Sequence, residues 1–276
     1  MTEDKCFADD YPHLIKTMPS GWNRKNYHGD MAKQKIQEFL GRRHPSDINM
    51  PLLIYNAYFN DSVASRSVFT AILKELNEFC RIHVSEQQTP GARALIKPLW
   101  KSLWDISANQ FWPVVSEVYF AQFLCQLCKM DIMRFSGDIP GSGKNADVVA
   151  RFKTERATSI VYFDVQHHKI KDRDAVDEQA LRKMIQQHAE DKVAEKRFEK
   201  LPNDSFGVVA LLYKPSDDCL GYFSGRHPVS DLIHFENNNG QKNILVRVYS
   251  LIKMIPDQKM TLVDNTVLVT GISPKT

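Results

Sequence analysis

The spacing of apolar and polar positions divides the chain into a helical first part and an alternating second part. MAKQKIQEFLGRR (31–43) has helical character and ends at Gly41. LLIYNAYF (52–59) is an apolar run that suits either a strand or a buried helix. DSVASRSVFTAILKELNEFCRI (61–82) opens on an acid that can cap, then places Val63, Val68, Ile72, Leu73, Leu76 and Phe79 at helical spacing. A further helix is expected within 92–106, where Trp100 and Trp104, four apart, face one way as core. The N-terminal stretch before these elements holds Pro12, Pro19 and Gly21 and shows no sustained period.

The character changes near Pro113. PVVSEVYFAQFLCQLCKM (113–130) begins with proline in its favoured first-turn place and is apolar almost all round, the pattern of a buried helix. MDIMRFS (130–136) reads as a strand and GDIPGSGKN (137–145) as turn. DVVARF and SIVYFDVQ are two strands joined by KTERAT, a plausible hairpin. DAVDEQALRKMIQQHAEDKVAEKRF (174–198) is a long charged helix with Val176, Ala180, Met184, Ile185, Ala189, Val193 and Phe198 near one stripe. FGVVALLYK (206–214) is a buried strand. The tail adds a short helical piece near 228–236 and strands near 243–249 and 266–271. Helix, three strands, helix, strand is the order of an α/β mixed sheet flanked by helices. The chain therefore reads as a mainly helical region, 1–110, followed by an α/β domain, 111–276, without internal repeats or low-complexity segments.

Composition narrows the class without choosing within it. The 276 residues are 43% hydrophobic and 25% charged, enough to build a sizeable core. A net charge of +3 permits a nucleic-acid partner through a local patch and does not demand one. MTEDKCFADDYPHLIK (1–16) lacks the apolar centre of a secretory signal, and no apolar run reaches the roughly 20 residues of a membrane helix. Five scattered cysteines (Cys6, Cys80, Cys125, Cys128, Cys219) then suggest reduced thiols in an intracellular protein. Cys125 and Cys128 form a C-x-x-C within a helix, with neither a second pair nor a βαβ context, so burial is the plain reading.

The chemistry concentrates in NADVVARFKTERATSIVYFDVQHHK (145–169), where β-branched runs carry acids in place of Val or Ile. Asp147 opens a strand after a glycine-rich turn; taken alone it is an exposed turn aspartate. Asp164 and Gln166, two apart on a strand, share one face, and the apolar IVYF before them implies partial enclosure. Glu117 sits among apolar residues of the preceding helix. A carboxylate buried there without a cation or donor would cost several kcal/mol. Acids from two adjacent strands and one helix can converge on a hard cation. Two carboxylates and a backbone carbonyl suffice for Mg²⁺, which keeps several waters. Such an ion could polarise a phosphodiester and orient the attacking water.

On these residues the chain resembles the PD-(D/E)XK, or restriction-endonuclease-like, nuclease superfamily, over about 100 residues from Pro113 to Lys214. The resemblance implies an αβββαβ core, with Asp147 and Asp164 as ligands of Mg²⁺ (or Mn²⁺), Glu117 as the helix acid, and Gln166 at the lysine position of the acid-x-Lys triplet. It also implies cleavage of nucleic acid, DNA rather than RNA, and pairing into homodimers to cut two strands. Ala146 replaces the usual proline, and Gln166 cannot supply the positive charge of lysine. Lys169, Lys171 and Lys183 are candidates to restore that charge. His168 falls on the face of Asp164 and could contact phosphate or carry a proton.

Rival readings remain open at this level. DIPGSGKN (138–145) comes near a phosphate-binding P-loop, but that motif must open a helix and DVVARF reads as strand. Gly141, Ser142 and Gly143 then serve the turn before Asp147, and Lys144 can touch backbone phosphate. There is no G-x-S-x-G elbow for a serine hydrolase. A non-catalytic member of the same scaffold, binding nucleic acid or assembling proteins, competes with the enzyme. Carboxylates pointing apart, or Asp164 paired with an arginine, would favour that module. RKNYH (24–28), RRH (42–44) and HHKIKDR (167–173) supply basic residues for phosphate contact if they share a surface.

Overall fold

The structure is a computed structural model that describes residues 9–20, 63–102, 110–153, 155, 157–169, 187–188, 191–202, 204–214, 244–253 and 260–264. The chain divides into two compact units: Met1–Val118 with Lys253–Met260, and Tyr119–Ile252 with Thr261–Thr276.

In the first unit, α1 (Pro12–Ile15) is short and lacks a side-chain cap of its own. Its free amides are taken in trans. The Asn77 side chain accepts from the backbone N–H of His13 and Leu14 at 2.9 and 3.0 Å. Asn77 belongs to α2 (Val63–Phe79), whose expected stripe is buried at Ile72, Leu73, Leu76 and Phe79. The helix then widens into a π-helical stretch, Cys80–Glu86, which the apolar spacing does not signal. Buried His83 lies there against the Phe79 ring at 4.9 Å and beside the Thr89 hydroxyl at 3.1 Å. Burial holds the His83 imidazole neutral, its pKa depressed to about 4. Next, α3 (Ala92–Ser102) buries Ile96, Leu99 and Trp100, whose indole donates to Thr17 Oγ1 at 3.0 Å. The expected elements at 31–43 and 52–59, and Trp104, lie outside the described residues.

Helix α4 (Phe111–Gln126) starts two residues before Pro113 and is buried on all sides, at Val114, Val115, Val118, Phe120, Ala121 and Leu124 among others. Its end carries Cys125, half-buried, with Cys128 just beyond; both are free thiols, and burial raises the pKa of the first.

The second unit is organised on a mixed open sheet in the order β1 (Asp131–Ile139), β2 (Lys144–Lys153), β3 (Thr158–Lys169), β4 (Ser205–Lys214), β5 (Ile244–Lys253), β6 (Met260–Asp264). The first three strands are antiparallel neighbours; β3 and β4, and β4 and β5, run parallel. The fold class is α/β. Strand β1 extends past the expected end at 136, and β2 begins at Lys144, so the turn contracts to residues 140–143. Gly141 and Gly143 take φ of +71° and +68°, which a side chain would resist. Ser142 closes the turn, donating to the Ile139 carbonyl and accepting from the Lys144 amide, both at 2.9 Å. Because the loop opens a strand, the P-loop reading is excluded. The last strand among the described residues lies at 260–264; the expected 266–271 and the helical piece at 228–236 fall outside the described residues.

The two faces of β3 are covered differently. Val161, Phe163 and Val165 are buried, and Phe163 meets Phe120 of α4 edge-on at 5.2 Å. Asp164 and Gln166 project from the opposite face. That face is met by the C-terminal end of the crossover between β3 and β4, where 191–196 is helical. Arg197 then turns left-handed (φ 57°), at a cost of about 1 kcal/mol. The turn lays Phe198 over Gly207 of β4, where a Cβ would stand only 2.4 Å from the phenyl ring. The rest of the expected 174–198 helix is largely outside the described residues.

Candidate active site

The site begins where β2 and β3 part. Their ladder runs from Lys153↔Thr158 to Val148↔Phe163. Beyond it, β2 continues to pair with β1 as far as Lys144. At this fork the amide of Val165 is satisfied by a side chain, donating to Asp147 Oδ2 at 2.7 Å. Asp147 is therefore the fourth residue of its strand, not the first, and it is half-buried. Asp164 is fully buried. Its Oδ2 accepts from Gln166 Nε2 at 3.0 Å, as the two-residue spacing on one face requires.

The remaining oxygen of Asp164 is held by a residue that the strand motif does not contain. Lys196, at the end of the crossover helix, sets its Nζ 2.6 Å from Asp164 Oδ1 and donates to the Asn145 carbonyl at 2.7 Å. Its side chain is 13% exposed, so the ammonium is largely enclosed between β2 and β3. A buried lysine would ordinarily lose its proton. Here desolvation pushes that way, but Asp147 and Asp164 override it and raise the pKa. A sequence signal existed: Lys196 follows Val193 by three positions and so shares the inward face of the helix.

One lysine does not neutralise two acids. Burial, then the facing Asp164 charge, drive the Asp147 carboxyl up to about 7 against the pull of Lys196 and the Val165 amide. The sign for stability follows. The folded protein holds the Asp147 proton to about pH 7 while the unfolded chain gives it up near 3.8, so stability falls as pH rises between those values. The expected loss is about 2 kcal/mol once the partial exposure of Asp147 is allowed for. Asp147→Asn keeps an acceptor for Val165 and should flatten that slope in urea titrations across this pH range. An unchanged slope would remove Asp147 as its source.

The donor chemistry suits a hard divalent cation. Two carboxylates face one another, one of them resisting ionisation through burial and the neighbouring Asp164 charge, and β2 also presents the Asn145 carbonyl at the fork. Asp147 and Asp164 would hold such an ion. Glu117 stands half-buried on α4, in the first unit, and has a partner of its own. Among the described residues, no group of three or more His, Cys, Asp or Glu side chains is gathered to hold a metal. The assembled acids are thus the two strand aspartates. The cation on Asp164 is a lysine, where arginine had been the alternative that favoured a binding module.

Of the expected phosphate contacts, Lys144 is exposed at the start of β2. His168 and Lys169 end β3 in register with Tyr213 and Lys214, their side chains outside the described part, as are Lys171 and Lys183 altogether. Among the described residues, no helix is long and apolar enough to cross a membrane. The chain matches no protein-family model, and no curated protein or solved structure matches it.

Proposed function

We propose that this protein is a Mg²⁺-dependent nuclease built on a restriction-endonuclease-like core. One observation carries the reading: two strand carboxylates, Asp147 and Asp164, meet at the fork of β2 and β3 with a single lysine beside them. When bound, the cation would supply Lewis acidity toward a phosphodiester. Asp147 and Asp164 hold it. Lys196 brings the cationic side chain that Gln166 cannot, from the crossover helix instead of the strand. Gln166, already donating to Asp164, fixes that carboxylate and can orient water or phosphate. Lys144, exposed at the start of β2, meets backbone phosphate in this reading. DNA is the preferred substrate in this reading, and a homodimer the cutting species.

The ion pair on Asp164 also favours a second reading, a nucleic-acid-binding or protein-assembly module whose acid site is permanently closed by Lys196. Cleavage of plasmid DNA and of single-stranded and structured RNA, in Mg²⁺, Mn²⁺ and EDTA, separates the two. The nuclease cuts only with metal, and Asp147→Ala or Asp164→Ala lowers cutting by at least about 100-fold while the fold survives. Binding without cutting favours the module. Metal-dependent cutting retained by both variants rejects the assignment of the site.

A further inference from the structure

Lys196 and the metal proposed for this site need the same carboxylate. Asp164 is fully buried, and both of its oxygens are already engaged, Oδ1 in the ion pair with Lys196 Nζ and Oδ2 by the hydrogen bond from Gln166 Nε2. A dication brought onto this side chain would stand beside a largely enclosed ammonium, and like charges at such range repel strongly where water is scarce. The neutral Gln166 amide offers no comparable repulsion and can pivot. Lys196 has a second attachment: the Asn145 carbonyl at 2.7 Å is a neutral backbone acceptor that remains when Asp164 lets go.

We infer that Lys196 is a built-in competitor for the metal, an internal cation that closes the fork in the free protein and gives up Asp164 when a divalent ion takes its place. This rests on the nuclease reading of the same acids and adds a rule to it: metal loading and release of the lysine are one event. Lys196 is a positioning residue in this scheme. Its ammonium stays tethered to β2 through Asn145 and is exposed toward substrate only in the loaded state, so the free protein is held shut by its own side chain.

The test uses the full chain without nucleic acid. Pulsed acetylation of lysines, read by mass spectrometry, should label Lys196 several-fold faster in Mg²⁺ than in EDTA. Mn²⁺ titration should show Lys196→Met binding the ion about tenfold more tightly than the unaltered protein, a coupling of ordinary size between two ligands of one site. Labelling that is unchanged or slowed by Mg²⁺, or a folded Lys196→Met with equal or weaker Mn²⁺ affinity, overturns the inference and leaves the nuclease reading standing. Should Lys196→Met fail to fold, labelling of the unaltered protein decides alone. An unaltered protein that binds no Mn²⁺ overturns both.

Discussion

Asp164→Ala should destabilise the second unit by about 3 kcal/mol, because it leaves the largely enclosed Lys196 ammonium without its ion-pair partner. Asp147 and the Asn145 carbonyl soften the loss but cannot replace a contact of 2.6 Å. For a unit of this size the melting temperature should fall by roughly 6–12 °C. The measurement that isolates the pair is a double-mutant cycle in urea. Asp164→Ala combined with Lys196→Met should be more stable than Asp164→Ala alone, since removing the stranded charge is worth more than losing its methylenes. Additive penalties would mean that the ammonium finds water once its partner is removed.

Gly207→Ala is the second large effect, and it acts on the same side chain from a distance. The new Cβ would lie 2.4 Å from Phe198 Cγ, 2.7 Å from Cδ2 and 2.8 Å from Cβ, all well inside contact distance. These atoms are the root of a fully buried ring, not the free tip of a flexible chain, so the 198–200 turn must lift from β4. Overpacking of this kind costs ~2–3 kcal/mol. Lys196 precedes Phe198 by two residues, so the lift also draws its ammonium off Asp164. Thermal melts should show the loss, and Mg²⁺ should bind Gly207→Ala more readily than the unaltered protein at matched temperature. A melting temperature within a degree or two of the original would show that the turn yields without resistance.

Period alone foresaw the helices realised at 63–79 and 111–126 and the strands realised at 144–153, 158–169 and 205–214, since each has a buried face or a fully apolar run, but not their ends: β2 starts three residues before Asp147, where the strand was expected to open. The shared face of Asp164 and Gln166 followed from strand alternation and is realised as a hydrogen bond. What period does not carry is how elements are brought together. Lys196 was easy to miss because a lysine on a mostly charged helix looks like solvated surface; its spacing from Val193 was the one hint, and the turn at Arg197 over the bare backbone at Gly207 seats the helix end against the sheet. The approach of Asp147 to Asp164 likewise depends on where the β2–β3 ladder stops, a matter of register that residue types leave open. The π-helical stretch after Phe79 has the same apolar spacing as a longer α-helix in the residues that precede it, and so left no trace.

The parting of β2 and β3 gives the sheet a property that a continuous ladder would lack. Backbone pairing on the far side of each strand, with β1 and with β4, clamps the two carboxylates in place whether or not they are neutralised. The acids cannot relax apart, as side chains on a loop would. Mechanical stiffness of the sheet is thereby converted into a standing demand for positive charge, which Lys196 meets in part.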